Sequence, residues 1–192
     1  MEMSTTKDIF ENINWALAGK NKMSELIAIA SNHLLSNPEH DNIFIDVHNA
    51  FNECNRALAA LAIQQRCPRL ARLFNVFYQK DSPIWLRDSN GPSRAELAKA
   101  GCVQGCCMGP IVYGFATLSL YAEVASTLED EENSFFGAYA DDSLIAASHG
   151  KAATALEMFQ NNLPDYHLRF NYAKTMILIG KCDDGAEVEN RI

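Results

Sequence analysis

The chain has 192 residues, 48% of them hydrophobic, and a formal charge of −8. That is enough for one domain with a substantial core, and no break in composition argues for two. The longest apolar stretch, 111–120, is interrupted by Gly114 and is too short to span a bilayer, and the first eight residues lack the basic-then-apolar order of a secretory signal. An intracellular protein without a membrane segment is expected.

In chain order, apolar residues at helical spacing over 23–35 (Met23, Leu26, Ile27, Ala30, Leu34) predict a helix stopped by Asn37 and Pro38. Residues 41–47 read as one buried strand ending in the acid-bearing run Ile43-Phe44-Ile45-Asp46. An alanine- and leucine-rich helix follows over 50–65, and Pro68 opens another over 69–79. A short strand is expected at 84–87, a turn at 90–92, and 93–100 fits strand or helix equally. The glycine-punctuated segment 101–109 leads into a long apolar helix over 110–128. Beyond an acidic loop, two short apolar runs flank Asp141 and Asp142, which predicts a hairpin with both acids at its tip. A helix over 151–163 and extended segments at 168–171 and 175–179 complete the order. The pattern is α+β: helices packed on one face of a small antiparallel sheet, with aspartates at its strand ends.

Adjacent carboxylates repel, and a divalent metal ion is the natural occupant between them. Asp46, at the end of its own strand, supplies a third acid, and carboxylates of this kind suit hard cations and phosphoryl transfer. The cysteines at 102, 106 and 107 cluster, but adjacent Cys106 and Cys107 lack zinc-ligand spacing, so they read as small apolar fillers. Charge is uneven. Seven basic and three acidic residues between Arg66 and Lys99 give +4 locally, leaving −12 for the rest, much of it in 129–132 and 183–189.

Four segments, in order, resemble the successive palm motifs of reverse transcriptases. They are Phe44-Ile45-Asp46-Val47-His48-Asn49-Ala50-Phe51-Asn52, the run from Gly101 through Gln104-Gly105 to Gly109-Pro110, Tyr139-Ala140-Asp141-Asp142, and Leu168-Arg169-Phe170-Asn171-Tyr172-Ala173-Lys174-Thr175. The likeness is greatest to the non-LTR retrotransposon type. Singly, each has a plainer reading: Asp46 as a helix cap, the acid pair as a polar turn, Phe51 and Tyr139 as core aromatics, Lys174 as a surface lysine. The ordered set is far more specific than any one of them.

The resemblance implies an RNA-directed DNA polymerase palm that extends a primer on an RNA or DNA template with deoxynucleoside triphosphates. Two Mg²⁺ ions are the implied cofactor, acting by a two-metal mechanism, with Mn²⁺ as a substitute. Asp46 and Asp141 would bridge the two metals, with Asp142 supporting them and the Val47 carbonyl as a further ligand, and Lys174 would serve the leaving pyrophosphate. Val47, Phe51, Gln104, Gly105 and Tyr139 would surround the nucleotide, with the Phe51 ring excluding a 2′-hydroxyl. The implied layout is a short lead at 1–22 (a remnant of the fingers), the palm at 23–180 and an acidic tail at 181–192. The chain departs from the family at Cys106 and Cys107, where an acid and a proline are usual, and at Met108, where leucine is usual. It also lacks full fingers and thumb, which suggests a truncated element or a partner chain that supplies them. A catalytically incomplete palm acting as a binding or regulatory module, and an RNA-dependent RNA polymerase-like palm, are the alternatives.

Overall fold

The computed structural model describes residues 5–87, 91, 94–103 and 105–181. Helix α1 (Thr6–Phe10) and α2 (Lys22–Ser36) precede β1 (Asp41–Ile45), a two-residue β2 (Val47–His48), α3 (Ala50–Glu53), α4 (Arg56–Arg66) and α5 (Pro68–Tyr78). The hairpin β3 (Ser82–Leu86) and β4 (Arg94–Ala98) follows, then α6 (Gly109–Ser126), β5 (Phe135–Tyr139), β6 (Asp142–Ala147) and α7 (His149–Asn162). A 3-10 turn (Leu163–Tyr166) leads to β7 (Arg169–Phe170) and β8 (Met176–Leu178). The main sheet is antiparallel in the order β5-β6-β1-β8, beside the small pairs β2-β7 and β3-β4. This is the expected α+β architecture. No helix among the described residues is long and apolar enough to cross a membrane.

Two elements differ from expectation. The strand over 41–47 breaks at Asp46, because the Asp46 backbone bonds to Thr175 and Asn171 instead of continuing the ladder. The helix over 50–65 divides at Cys54 and Asn55. Cys54 is extended, and the Asn55 side chain caps α4 by accepting from Ala57 N at 2.9 Å and Leu58 N at 3.3 Å. Within the ambiguous segment at 93–100, Arg94–Ala98 is strand, paired residue for residue with β3. The turn expected at 90–92 lies largely outside the described residues.

The register decides which side chains reach the core. Ile43 pairs with Ile145, and both join the buried cluster beneath α6 and α7; Phe44 and Leu144 pair on the opposite face. Helix α6 is apolar nearly all round because it lies between α4, α7 and the sheet. Its Tyr121 packs on Phe136 of β5 and Phe159 of α7, with ring centroids 5.3 and 6.1 Å away. Each such buried ring or branched side chain contributes roughly 1.5–3 kcal/mol through removal of apolar surface from water. The far end of β1 is pinned by buried Asp41, which accepts from Gly180 N at 2.8 Å and lies 2.7 Å from His149 Nδ1.

The lead belongs to the same packed body. Phe10 meets Phe115 edge-on at 5.0 Å, and backbone bonds from Trp15 N to Ala138 O (2.8 Å) and from Ala138 N to Ile13 O (3.2 Å) run the lead along the outer edge of β5.

Candidate nucleotide and metal site

The acid pair sits where expected, on a tight hairpin turn. Tyr139 pairs with Asp142, leaving Ala140 and Asp141 as the two turn residues, and Ala140 has a φ of 58°. A two-residue hairpin turn requires such a positive φ, which is costly for a residue with a Cβ. Asn14 offsets that cost. Its side chain, 1% exposed, donates to Ala140 O at 3.1 Å and accepts from Ala140 N at 3.2 Å. A residue 126 positions away thus fixes the turn that carries both acids.

Asp46 lies at the end of the neighbouring strand, β1, where the adjacent pairing of Ile45 with Ser143 brings it close to Asp142. Together with Lys174, Tyr139, Phe44 and Leu144, these residues wall a cleft of about 450 Å³ roofed by Met23, Leu26, Ile27 and Ala30 of α2. Lys174 Nζ is 3.9 Å from Asp46 Oδ1. Asp141, at the turn, is close enough to buried Tyr113 that its charge adds to burial and to Tyr121 in pushing that phenol up.

Burial, above all, raises the Asp141 pKa above the ordinary carboxylate value, and the charges of Asp142 and Asp46 raise it further. Asp142 is raised by burial and then by Asp46, with Lys174 opposing. The cleft therefore holds more negative charge than its own cation offsets. Among the described residues, no three His, Cys, Asp or Glu side chains converge tightly enough to enclose an ion. The donor type nonetheless fits Mg²⁺, which keeps several waters and is ordinarily held by one or two carboxylates plus substrate phosphates.

The other sequence-predicted residues that the structure describes, Val47, Phe51 and Gly105, do not line this cleft. Phe51, in α3, stacks on Tyr113 of α6. Val47 is buried and pairs with Phe170. Gly105 has a φ of 82° and nothing within 4 Å of where a Cβ would stand. Gln104 lies outside the described residues. Cys102 is buried, Cys106 half-buried and Cys107 exposed.

Three polar residues escaped the sequence reading. Asn14 gave no signal, being a single asparagine in the lead. Asn171 and Thr175 lie within the fourth segment, on either side of Lys174. Their contacts are to Asp46: Asn171 Nδ2 donates to Asp46 Oδ2 at 2.5 Å, and Asp46 N donates to Thr175 Oγ1 at 3.3 Å.

The reverse transcriptase (RNA-dependent DNA polymerase) family matches residues 6–187. Among solved structures, the chain is similar to apo telomerase from Candida tropicalis truncated from its C-terminal domain, with a TM-score of 0.70 and 13% identity, over 93% of this chain and 39% of that one. Candida tropicalis telomerase in complex with the TWJ fragment of telomeric RNA gives 0.66 at 12% identity, over 91% and 31%. The corresponding Candida albicans complex gives 0.56 at 12% identity, over 81% and 31%. At these identities the likeness is one of fold, a palm with its antiparallel sheet, and the chain spans about two fifths or less of those telomerase chains. No curated protein sequence matches.

Proposed function

Because the chain belongs to the reverse transcriptase (RNA-dependent DNA polymerase) family, we propose that it is a nucleotidyltransferase palm that adds deoxynucleotides to a primer on an RNA or DNA template. The observation that carries the reading is the meeting of Asp46, Asp142 and Lys174 at one cleft, with Asp141 on the adjoining turn. The RNA-bound state of the similar Candida tropicalis telomerase supports a nucleic-acid partner.

Asp46, Asp141 and Asp142 would hold Mg²⁺, with the Val47 carbonyl as a further ligand, and Mn²⁺ could take its place. When bound, the metal lowers the pKa of the primer hydroxyl and neutralises charge on the triphosphate. The raised pKa values of Asp141 and Asp142 are consistent with acids awaiting a cation. Lys174 holds a proton and a positive charge for the departing pyrophosphate. Phe51, backed by Tyr113, bars a 2′-hydroxyl from the sugar position, while Gln104, Gly105 and Tyr139 contact the nucleotide. Asn14, in the lead at 1–22, braces the hairpin, while 23–180 are read as the palm and 181–192 as an acidic tail. Descent from a non-LTR retrotransposon is part of this reading, supported by the sequence likeness of the four segments.

A second reading is a palm that works only beside another chain contributing fingers and thumb. Two observations favour it: the net charge of −8 is ill suited to gripping a duplex alone, and Met176, Ile177, Leu178 and Ile179 stand exposed along the β8 edge.

Primer extension on an RNA template with deoxynucleotides and Mg²⁺ or Mn²⁺ tests the first reading. Extension by the parent, absent in an Asp141→Asn, Asp142→Asn variant, is the expected result. A folded parent that extends nothing would leave the palm with a partner or with a non-catalytic role.

A further inference from the structure

The turn from Asn171 to Thr175 closes on Asp46 at three points. Asn171 N donates to Asp46 O at 3.1 Å, Thr175 Oγ1 accepts from Asp46 N at 3.3 Å, and Asn171 Nδ2 reaches Asp46 Oδ2 at 2.5 Å. The turn is itself rigid, since Lys174 N and Thr175 N both bond to Asn171 O, at 3.3 and 3.0 Å. It also joins the two strands that flank Asp46 in space: β7 pairs with Val47 and His48, and β8 pairs with Asn42 through Phe44.

The first two contacts satisfy backbone groups that the ladder leaves free between β1 and β2, so the fold needs them. The third does nothing for the backbone. It spends a side-chain amide on one oxygen of a carboxylate that lines the cleft and is about a quarter exposed. Only the NH₂ end of the amide can donate to a carboxylate, which fixes its orientation, and an aspartate at 171 would set a like charge against Asp46.

We propose that Asn171 is a positioning residue for metal binding, one that locks the Asp46 carboxylate in a single rotamer with Oδ1 left to the Lys174 side. The inference rests on the reading of Asp46 as a metal ligand. Partners of this kind orient ligating carboxylates, and their removal typically weakens metal affinity by roughly 10- to 100-fold.

The test is Mn²⁺ binding followed by electron paramagnetic resonance on the full chain, for the parent, Asp46→Asn and Asn171→Leu, with folding checked by circular dichroism. The expected result is Mn²⁺ bound by the parent, abolished or nearly so in Asp46→Asn, and weakened by roughly 10- to 100-fold in a folded Asn171→Leu. Parent-like affinity in Asn171→Leu, with Asp46→Asn deficient, overturns the inference and leaves the metal reading standing. A parent that binds no Mn²⁺, or an Asp46→Asn that binds as the parent does, overturns both. Should Asn171→Leu fail to fold, the side-chain amide resonances of Asn171 in ¹⁵N-labelled parent decide. They shift on Mg²⁺ titration, and do not in Asp46→Asn, if the amide senses the ligand; resonances unmoved in a parent that binds Mn²⁺ overturn it.

Discussion

The Phe51 ring stacks on that of Tyr113, with centroids 5.1 Å apart and planes 23° from parallel. This contact joins the helix after the first acid-bearing strand to the start of α6, just past the glycine loop, and Tyr113 is in turn fixed by a hydroxyl contact to Tyr121 at 3.0 Å. A ring held this firmly is a wall rather than a flexible lid. If Phe51 walls the sugar position as proposed, Phe51→Val should admit ribonucleotides, improving their use relative to deoxynucleotides by at least roughly 10-fold, since even one methylene in a shaped pocket is worth about 10- to 200-fold. Competition between labelled ribo- and deoxynucleoside triphosphates in primer extension measures it.

Asp141 and Asp142 make a pH prediction whose sign follows from their raised pKa values. A carboxyl raised in the folded state binds its proton more tightly there than in the unfolded chain, so its contribution to stability is full below the ordinary value of 3.8 and is lost as pH rises through the raised value. In chelator at pH 7, Asp141→Asn and Asp142→Asn should therefore melt higher than the parent, with the gap closing in acid. The difference between parent and variant isolates these two groups from Glu53, which Arg169 holds below its ordinary value and which acts in the opposite sense. Added Mg²⁺ should raise the melting temperature of the parent only. Thermal unfolding between pH 4 and pH 8, with and without Mg²⁺, reads all of this.

Gly101 and Gly105 both have positive φ, but their surroundings differ. At Gly101 (φ 63°), an added Cβ would fall on the Asn52 carbonyl and Phe51 O; at Gly105 it would meet open space. Gly101→Ala combines backbone strain with overpacking and should cost roughly 2–5 kcal/mol. Gly105→Ala carries strain alone, about 1–2 kcal/mol. Urea unfolding of the two variants side by side gives the comparison.

Asn14→Leu keeps the volume of the side chain and removes both bonds to Ala140. The turn then holds a positive φ unaided, and Ala140 N, Ala140 O and Ala16 N all lose their side-chain partner, at a cost of roughly 2–4 kcal/mol. If the turn is what aims the acids, Mn²⁺ affinity should fall in the folded fraction as well, measured at a temperature where circular dichroism reports native structure.

The elements themselves were written locally. The 3.6-residue spacing in 23–35, the proline opening α5 and the two apolar runs around Asp141-Asp142 each specify their structure through near neighbours, and the order of four acid- and glycine-bearing segments was enough to indicate a reverse transcriptase palm. The division at Asn55 was also legible in principle, since an asparagine inside an alanine-rich run is a capping signal. The break at Asp46 and the roles of Asn14, Asn171 and Thr175 were not. Asn14 bonds to a residue 126 positions away, and Asn171 and Thr175 to one 125 and 129 positions away. Periodicity and capping act over a turn of helix or a pair of strands. Which distant amide meets which carboxylate is decided only when the sheet register and the packing of α6 and α7 bring separate strand ends together.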